Sequence, residues 1–286
     1  MGLTRKLGKV AAVTDSRRIL VTNDDGIDSP GLHAVVEALA PLATVVVVAP
    51  DRNRSAVSRS ITLGQTLEVV EHTIPGASLA VATDGTPTDC VRLAVLGLVG
   101  GRPDLVVSGA NMGLNLGDDV TYSGTVAAAF EGAINGVPAI AVSQQSIHRE
   151  LGYPRTREYE YETMQRFLHG FTQHMLERLE TLPLGLVMGI NVPGCKPHEV
   201  NGVEVGRLGR RIYRDKLELQ RVDGNRRHFL LYGDDPSHHE EEGTDIAAIG
   251  RGCIAVTPLR YQLADTDTAA ELATWPLVDF LHEEHE

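Results

Sequence analysis

Two adjacent carboxylates, Asp24 and Asp25, stand directly after the β-branched run in the stretch ILVTNDDGIDSPG, residues 19–31. Side chains alternate between the two faces of a strand, but at the turn that leaves the strand two neighbouring carboxylates can aim at one point. Such like charges repel unless a cation separates them. Hard oxygen ligands favour Mg²⁺, Mn²⁺ or Ca²⁺, and neither a His cluster nor a thiolate accompanies the pair. The alternative is an Asx-turn or helix cap that uses one aspartate and leaves the other in water.

Two further polar segments follow predicted strands. The first, APDRNRSAVSRS, holds Ser55 and a cluster of arginines; an arginine cluster is usually a solvated face, but arginine also suits planar contact with phosphate. In the second, SGANMGLNLGDDVTYSGT, the residues Ser123, Gly124 and Thr125 begin a predicted helix, where free backbone N–H groups and the helix dipole favour an anion. Simple N-capping by Ser123 or Thr125 is the alternative, and both roles can hold at once. The arginines of the first segment are Arg52, Arg54 and Arg59.

The elements that must position these residues are short apolar strands alternating with helices, a pattern typical of βαβ units and a mostly parallel sheet. The strands lack in/out alternation, so we expect both faces of the sheet to be covered. Ligands bind beyond the carboxyl ends of such strands, which is where the polar segments lie. The predicted strands are residues 18–23, 43–50, 79–83, 104–109, 139–144, 185–192 and 252–259, and the predicted helices begin after Ser29, after Thr86, at about 123 and at about 161.

Composition limits the classes of function. Hydrophobic residues make up 42% of the 286 residues, and no run of about 18 apolar residues exists to span a bilayer, so we expect no membrane association. The formal net charge of −12 argues against wrapping a nucleic-acid polymer. A phosphate-bearing ligand would need local cations, and a metal held by carboxylates supplies them most simply. Cys90, Cys195 and Cys253 are scattered without a CxxC pair, which indicates reduced thiols in a cytoplasmic protein.

The chain divides by composition into three parts. Residues 1–17 have too short an apolar run for a signal sequence and are interpreted as a flexible leader. Residues 18–192 are the predicted Rossmann-like catalytic core. Gly-punctuated alternating segments after Val192 predict antiparallel hairpins, so residues 193–286 are expected to be a β-rich appendage that ends in a helix from about Thr268. The GxGxxG, GxxxxGK[ST] and GxSxG motifs are absent from the sequence.

Five ordered motifs resemble the SurE family of survival-protein nucleotidases: TNDDGIDSPG, VVAPDRNRSAVSRSIT, GTPTDC, DLVVSGANMGLNLGDDVTYSGTVAAAFEG and PAIAVS. The likeness continues through NVP, EGTD and VTPL and so extends from Arg18 to about Asp267. It implies hydrolysis of nucleoside monophosphates by a mostly parallel, three-layer α/β sandwich with a β-hairpin-rich C-terminal appendage. It also implies homodimers or homotetramers, built by a protruding hairpin and exchanged C-terminal segments. The sequence departs from the family pattern at Ala56, where glycine is usual, and in the leader before Arg18.

The resemblance also implies a site that holds one divalent metal ion per subunit. The metal ligands that it implies are Asp24, Asp25, Ser55 and Asn111, and the phosphate- and substrate-contacting residues are Asn23, Asn111, Asn115, Ser123, Gly124 and Thr125. These positions agree with the strand-end argument made from the residues themselves.

Metal-assisted hydrolysis of a phosphomonoester is the hypothesis that these residues favour, with Asp24 and Asp25 as the catalytic pair. Asp24 is the candidate either to orient a water or to attack phosphorus itself, and the sequence does not separate a general base from a nucleophile. Two alternatives stay open. A non-catalytic sensor would bind metal and nucleotide without turnover, and a broad acid phosphatase or exopolyphosphatase would accept other phosphate substrates. The base preference and the choice between 5′- and 3′-monophosphates are open as well.

Overall fold

A nine-stranded sheet forms the centre of the computed structural model, which describes residues 17–152, 157–231, 236–275 and 277–278. The strands are β1 (Arg18–Thr22), β2 (Thr44–Pro50), β3 (Val69–His72), β4 (Ala77–Thr83), β5 (Leu105–Met112), β6 (Ala139–Gln144), β7 (Leu186–Val192), β8 (Val203–Val205), β9 (Arg211–Ile212), β10 (Leu217–Asp223), β11 (Arg226–Leu231), β12 (Ser237–His238) and β13 (Ile254–Arg260). The helices are α1 (Pro30–Leu39), α2 (Pro87–Leu93), α3 (Gly124–Ile134), α4 (Glu162–Leu176), α5 (Asp245–Gly250) and α6 (Thr266–Leu272).

The order of strands in the central sheet is β3-β4-β2-β1-β5-β6-β7-β13-β8. The six strands from β4 to β7 in this order are parallel, while β3 and β13 join them antiparallel. The chain moves outward from β1 through β2 to β4 and then crosses to β5 on the other side of β1. The order therefore reverses between β1 and β5, and a ligand crevice is expected beyond the carboxyl ends of these two strands.

Helices cover both faces of the sheet, which confirms the predicted three-layer architecture. Leu32 of α1 and Leu168 of α4 belong to the buried cluster on one face, and Val91 of α2 and Ala128 of α3 belong to the cluster on the other. Each fully buried aliphatic side chain as large as leucine stabilises the fold by roughly 1.5–3 kcal/mol. The buried core therefore holds the ends of the strands in place, and the loops that follow the strands are not needed for this.

The seven predicted strands and the four predicted core helices are confirmed, with β5 extending three residues beyond its predicted end. Sequence patterns missed β3, whose four residues form an edge strand that is only partly buried. The predicted C-terminal helix is present as α6, which begins at Thr266 and ends at Leu272. Residue 276 and residues 279–286 lie outside the described residues, as do residues 1–16 of the predicted leader; Arg17 ion-pairs with Asp104 at 3.2 Å.

The part of the chain after Val192 is rich in β structure, as predicted. Strands β8 and β13 return to the central sheet, while β10 and β11 form a separate antiparallel hairpin whose residues are all exposed. The boundary between residues 192 and 193 remains a prediction. Within the described ranges, no helix is long and apolar enough to cross a membrane.

Candidate functional site

Asp24 lies just beyond β1 and is buried against the first turn of α3. Its Oδ1 accepts a hydrogen bond of 2.5 Å from the Thr125 hydroxyl, which lies 3.4 Å from Oδ1 of Asn111 on β5. That hydroxyl carries one proton, and the shorter contact assigns it to Asp24. The Asp24 carboxylate, just beyond β1, and the Asn111 amide oxygen, on β5, therefore both face the Thr125 hydroxyl. Strands β1 and β5 are the two between which the strand order reverses.

The charge on Asp24 is strongly disfavoured by its surroundings. Burial raises the pKa of the Asp24 carboxyl to about 6, the adjacent charge of Asp25 acts in the same direction, and hydrogen bonds from the side chain and backbone of Thr125 oppose both effects. A buried carboxylate beside a second carboxylate is stabilised when a cation lies between them. The electrostatics of this site therefore fit a bound cation.

Asp25 is held at the same strand end. Its Oδ2 accepts a hydrogen bond of 3.1 Å from the backbone N–H of Met112, the residue after Asn111, and its Oδ1 accepts one of 3.0 Å from Nδ2 of Asn53. Burial raises the pKa of Asp25 in spite of these two donors and the nearby charge of Arg157. Asp24, Asp25 and Asn111 are thus brought together, as predicted.

The Ser55 loop, residues 51–60, reaches this cluster through two hydrogen-bonded connections. Asn53 accepts a hydrogen bond of 2.9 Å from the backbone N–H of Ser55 while its amide group donates to Asp25. The backbone N–H of Arg54 donates to the Asp24 carbonyl oxygen at 2.6 Å. Ser55 itself is exposed, and its backbone is connected to Asp25 through the single side chain of Asn53. Sequence reasoning missed Asn53, because a polar residue in an exposed loop carries no distinguishing pattern.

Replacing Asn53 with Ala is expected to weaken the site. Removal of residues that orient metal ligands typically lowers metal affinity or activity by about 10- to 100-fold. We expect a loss of this size in Mn²⁺ affinity, measured by titration calorimetry. Asn201→Ala is the control, since Asn201 donates to the carbonyl oxygen of Arg251 at the far edge of the sheet. Equal effects of the two variants would show that Asn53 has no special role.

Two residues of the Ser55 loop adopt left-handed backbone conformations. Ala56 has φ of +58° and Ser58 has φ of +52°. Each such residue costs roughly 1–2 kcal/mol when it is not glycine, which gives a physical reason for the glycine that the family resemblance implies at position 56. Strained conformations persist only where surrounding contacts hold them. One such contact is the hydrogen bond of 2.9 Å from the Ser58 hydroxyl to the carbonyl oxygen of Thr121.

The first turn of α3 packs directly on Asp24. Ser123 caps the helix, its Oγ accepting a hydrogen bond of 3.1 Å from the backbone N–H of Val126, so the capping interpretation is confirmed for this residue. A Cβ added at Gly124 would lie 2.7 Å from Cβ and 2.8 Å from Oδ2 of Asp24. Only glycine permits this approach. The group that Thr125 contacts at this helix end is the carboxylate of Asp24.

Asn23 and Asn115 have side chains engaged outside this cluster. Nδ2 of Asn23 donates a hydrogen bond of 2.9 Å to the Gly26 carbonyl oxygen, and Oδ1 of Asn23 accepts one of 3.2 Å from the Gly26 N–H. These two bonds shape the turn after β1. Nδ2 of Asn115 donates to the Ser143 hydroxyl at 2.9 Å, and Ser143 is the strand neighbour of Asn111. Asn115 therefore lies one strand away from Asn111. Contact of Asn23 or Asn115 with a substrate remains a prediction.

The arginines after β2 do not form one cluster, and contact of any of them with an anion remains a prediction. The Arg54 guanidinium donates to the carbonyl oxygen of Asp84 at 2.5 Å, and that of Arg59 donates to Glu131 at 2.8 Å. Arg52 is exposed beside Asp51, at 3.5 Å. The cluster is dispersed because the loop turns between these residues. Charges that are adjacent in sequence therefore point at different elements.

Asp245 organises the approach to the site from the second half of the chain. It is buried, and its carboxylate accepts hydrogen bonds from the backbone N–H groups of Gly117 and Gly209 at 2.8 and 2.7 Å. Burial raises its pKa in spite of these donors. The loop after β5 is thereby fixed to the segment before β9. Asp245 is the last residue of the EGTD motif, but the sequence alone did not assign it a role.

The donor set has a distinct chemical character. Among the described residues, no three His, Cys, Asp or Glu side chains gather as a potential metal site. The cluster supplies two carboxylates and neutral oxygens of amide and hydroxyl groups instead. An all-oxygen set of this kind matches Mg²⁺, Mn²⁺ or Ca²⁺ rather than a softer metal.

Comparisons with known proteins agree with the fold and with the motifs. The family model described as survival protein SurE matches residues 19–215. A 5'-nucleotidase SurE of Rubrobacter xylanophilus is 46% identical over 264 residues, covering 91% of this chain and 97% of that protein. One of Chloroflexus aggregans is 44% identical over 257 residues, covering 90% and 98%. The crystal structure of a SurE protein from Aquifex aeolicus has a TM-score of 0.74 at 34% identity and covers 93% of this chain and all of that one.

Proposed function

Because the chain belongs to the SurE family, we propose that it is a metal-dependent 5′-nucleotidase, which converts a nucleoside 5′-monophosphate and water into a nucleoside and inorganic phosphate. The observation that carries this proposal is the meeting of Asp24 and Asn111 at the Thr125 hydroxyl, with Asp25 adjacent. These residues lie where the order of parallel strands reverses, a position that suits a small phosphate ester.

Asp24, Asp25, Asn111 and Ser55 would hold one divalent ion in this proposal. The all-oxygen donor set and the raised pKa values of both aspartates support that assignment. When bound, the ion would polarise the phosphoryl oxygens and would neutralise charge in a loose transition state.

The chain itself mainly positions groups. Asp24 has its Oδ1 engaged by Thr125, which leaves Oδ2 as the atom that orients a water or attacks phosphorus. The start of α3 would bind the phosphate through its dipole and the N–H of Gly124, because the N–H groups of Thr125 and Val126 already donate to Asp24 and Ser123. The Asn111 amide group donates to the Gly113 carbonyl at 2.9 Å, which fixes its oxygen toward Thr125 and Asp24. Trapping an aspartyl-phosphate on Asp24 would establish nucleophilic attack and contradict direct attack by water.

Turnover tests the function. Purified protein with Mn²⁺ should release phosphate from nucleoside 5′-monophosphates, and EDTA should abolish the release. The 3′-monophosphates, p-nitrophenyl phosphate and polyphosphate complete the panel, and faster release from any of these would contradict the proposed specificity. Binding of nucleotide without phosphate release would identify a sensor instead of an enzyme.

We further propose a homodimer or homotetramer in the cytoplasm. All residues of β10 and β11 are exposed, and so are all described residues from Arg260 to Trp275, although both segments carry large apolar side chains. Apolar surface of this kind marks protein contact sites. The three cysteines are buried free thiols, which suits a reducing compartment. Light scattering that gives the mass of one chain would contradict the proposed assembly.

A further inference from the structure

Arg59, at the end of the Ser55 loop, lies between two groups from distant parts of the chain. Its Nη2 is 2.8 Å from Oε2 of Glu131 on α3, and its Cζ is 4.7 Å from the ring centroid of Tyr261. The Tyr261 ring in turn packs against Phe130 of α3, with 5.4 Å between ring centroids. An arginine in this position is restrained by a charged hydrogen bond on one side and by an aromatic face on the other.

The contact between Arg59 and Glu131 matters because Glu131 is buried. The Glu131 side chain is only 3% exposed, so Arg59 supplies a positive charge to a buried carboxylate. Arg92 of α2 lies farther from the same carboxylate, at 3.6 Å, and is more exposed than Arg59. Helix α3 carries Glu131 near its end and the Asp24 contact at its start. The Arg59–Glu131 pair therefore connects the Ser55 loop to the same helix that contacts Asp24.

The Ser55 loop needs such a connection because its backbone is strained. Ser55 lies between the Arg54 contact to Asp24 on one side and the Ser58 and Arg59 contacts on the other. Of the two left-handed residues, Ala56 lies between these two groups of contacts, and Ser58 belongs to the second group. Without the contacts at the far end, the two residues would relax toward ordinary backbone angles and Ser55 would move.

We propose that Arg59 is a positioning residue for the metal site, which holds Ser55 in place through Glu131 and Tyr261. The inference rests on the proposed function only for the identity of Ser55 as a metal ligand. Tyr261 lies near the start of the exposed C-terminal segment, so the Arg59 contact joins that segment to the Ser55 loop.

The test measures Mn²⁺ binding in the absence of nucleotide, by calorimetry and by the electron paramagnetic resonance signal of free Mn²⁺. Arg59→Ala is expected to raise the dissociation constant about tenfold, and Arg59→Lys, which keeps the charge but loses the planar contact with Tyr261, less than that. Tyr261→Phe keeps the ring but removes the hydroxyl that also bonds Arg59, so it should raise the dissociation constant less than Arg59→Ala does. Cleavage of the Ser55 loop by trypsin should be faster in Arg59→Ala than in the unmodified chain.

Arg92→Ala is the matched control, because it also removes a cation from Glu131 but lies outside the Ser55 loop. We expect it to change Mn²⁺ affinity by less than twofold. Equal weakening by Arg92→Ala and Arg59→Ala would overturn the proposal, since the effect would then pass through Glu131 and α3 alone. Unchanged affinity in Arg59→Ala would overturn it directly. If Arg59→Ala fails to fold, Arg59→Lys and Tyr261→Ala decide by the same two measurements.

Turnover separates this inference from the proposed function. In Arg59→Ala, saturating Mn²⁺ should restore kcat to within about twofold, because the site is then filled in spite of its weaker affinity. A kcat that stays low at saturating Mn²⁺ would place Arg59 in the chemistry and overturn its assignment as a positioning residue. A chain that binds Mn²⁺ with the expected dependence on Arg59 but releases no phosphate would contradict the function and leave the inference standing.

Discussion

Replacing Asp24 with Asn is expected to abolish turnover and, at the same time, to stabilise the metal-free protein at pH 7. The amide keeps the shape of the side chain and still accepts the Thr125 hydrogen bond, but it removes a buried charge. Loss of a group that moves a proton or attacks phosphorus lowers kcat by roughly 10³-fold or more. The assay is phosphate release at saturating Mn²⁺.

The gain in stability follows from the raised pKa of Asp24. With a pKa of about 6 in the folded chain and an ordinary value near 3.8 in the unfolded chain, the folded state holds its proton longer as pH rises. The free energy of unfolding therefore decreases between about pH 4 and pH 6, by up to roughly 3 kcal/mol. The amide introduced by Asp24→Asn has no proton to lose in this range, so the variant avoids this decrease. The difference in Tm should be small at pH 4 and largest above pH 6.

Asp89→Asn is a control with the opposite sign. Burial acts to raise the pKa of Asp89, but hydrogen bonds from Thr86 and Thr62 hold it below its ordinary value. Its charged form therefore stabilises the folded state above about pH 4, and this contribution is lost as pH falls through its lowered pKa. Neutralising Asp89 should lower Tm at pH 7. A lower Tm for Asp24→Asn as well would contradict the assignment of Asp24 as a destabilising carboxylate.

The strand ends could be predicted from sequence because uniformly apolar runs delimit buried parallel strands. Once β1 and β5 are placed, the location of Asp24, Asp25 and Asn111 at one edge follows from the rule for open α/β sheets. Asn111 was expected just beyond the end of β5, whereas the structure places it inside this strand, after a shift in the pairing register between Ser108 and Asn111. The position of the site could therefore be predicted from the sequence, whereas its detailed geometry could not.

Contacts between side chains far apart in sequence could not be predicted. Thr125 and Asp24 are 101 residues apart, and their hydrogen bond depends on how α3 lies across the sheet. Arg59 resembled part of an anion-binding cluster, because nothing in the sequence marks Glu131 as its buried partner. Local patterns specify which elements form, but the pairing of polar groups between elements depends on tertiary packing.

Replacing Gly124 with Ala is the second variant with a large expected effect. The added Cβ would lie 2.7 Å from the Asp24 Cβ, closer than nonbonded carbon atoms approach, so Asp24 or the first turn of α3 must shift. Displacement of a catalytic group by about 1 Å can lower the rate about 100-fold. We expect a loss of about this size in kcat/KM for a nucleoside monophosphate, together with weaker Mn²⁺ binding. The fold should persist, since the core under α3 is unchanged.

Gly170→Ala provides the matched control for this substitution. Gly170 lies within α4, and no atom lies within 4 Å of the position that its Cβ would take. Both variants introduce alanine into a helix, and in Gly170→Ala this should stabilise the protein by up to about 1 kcal/mol without affecting turnover. Normal turnover in Gly124→Ala would mean that the working enzyme does not hold Asp24 against α3. The Thr125 hydrogen bond and the raised pKa of Asp24 would then describe a state outside the catalytic cycle, and the role of α3 in positioning Asp24 would have to be abandoned.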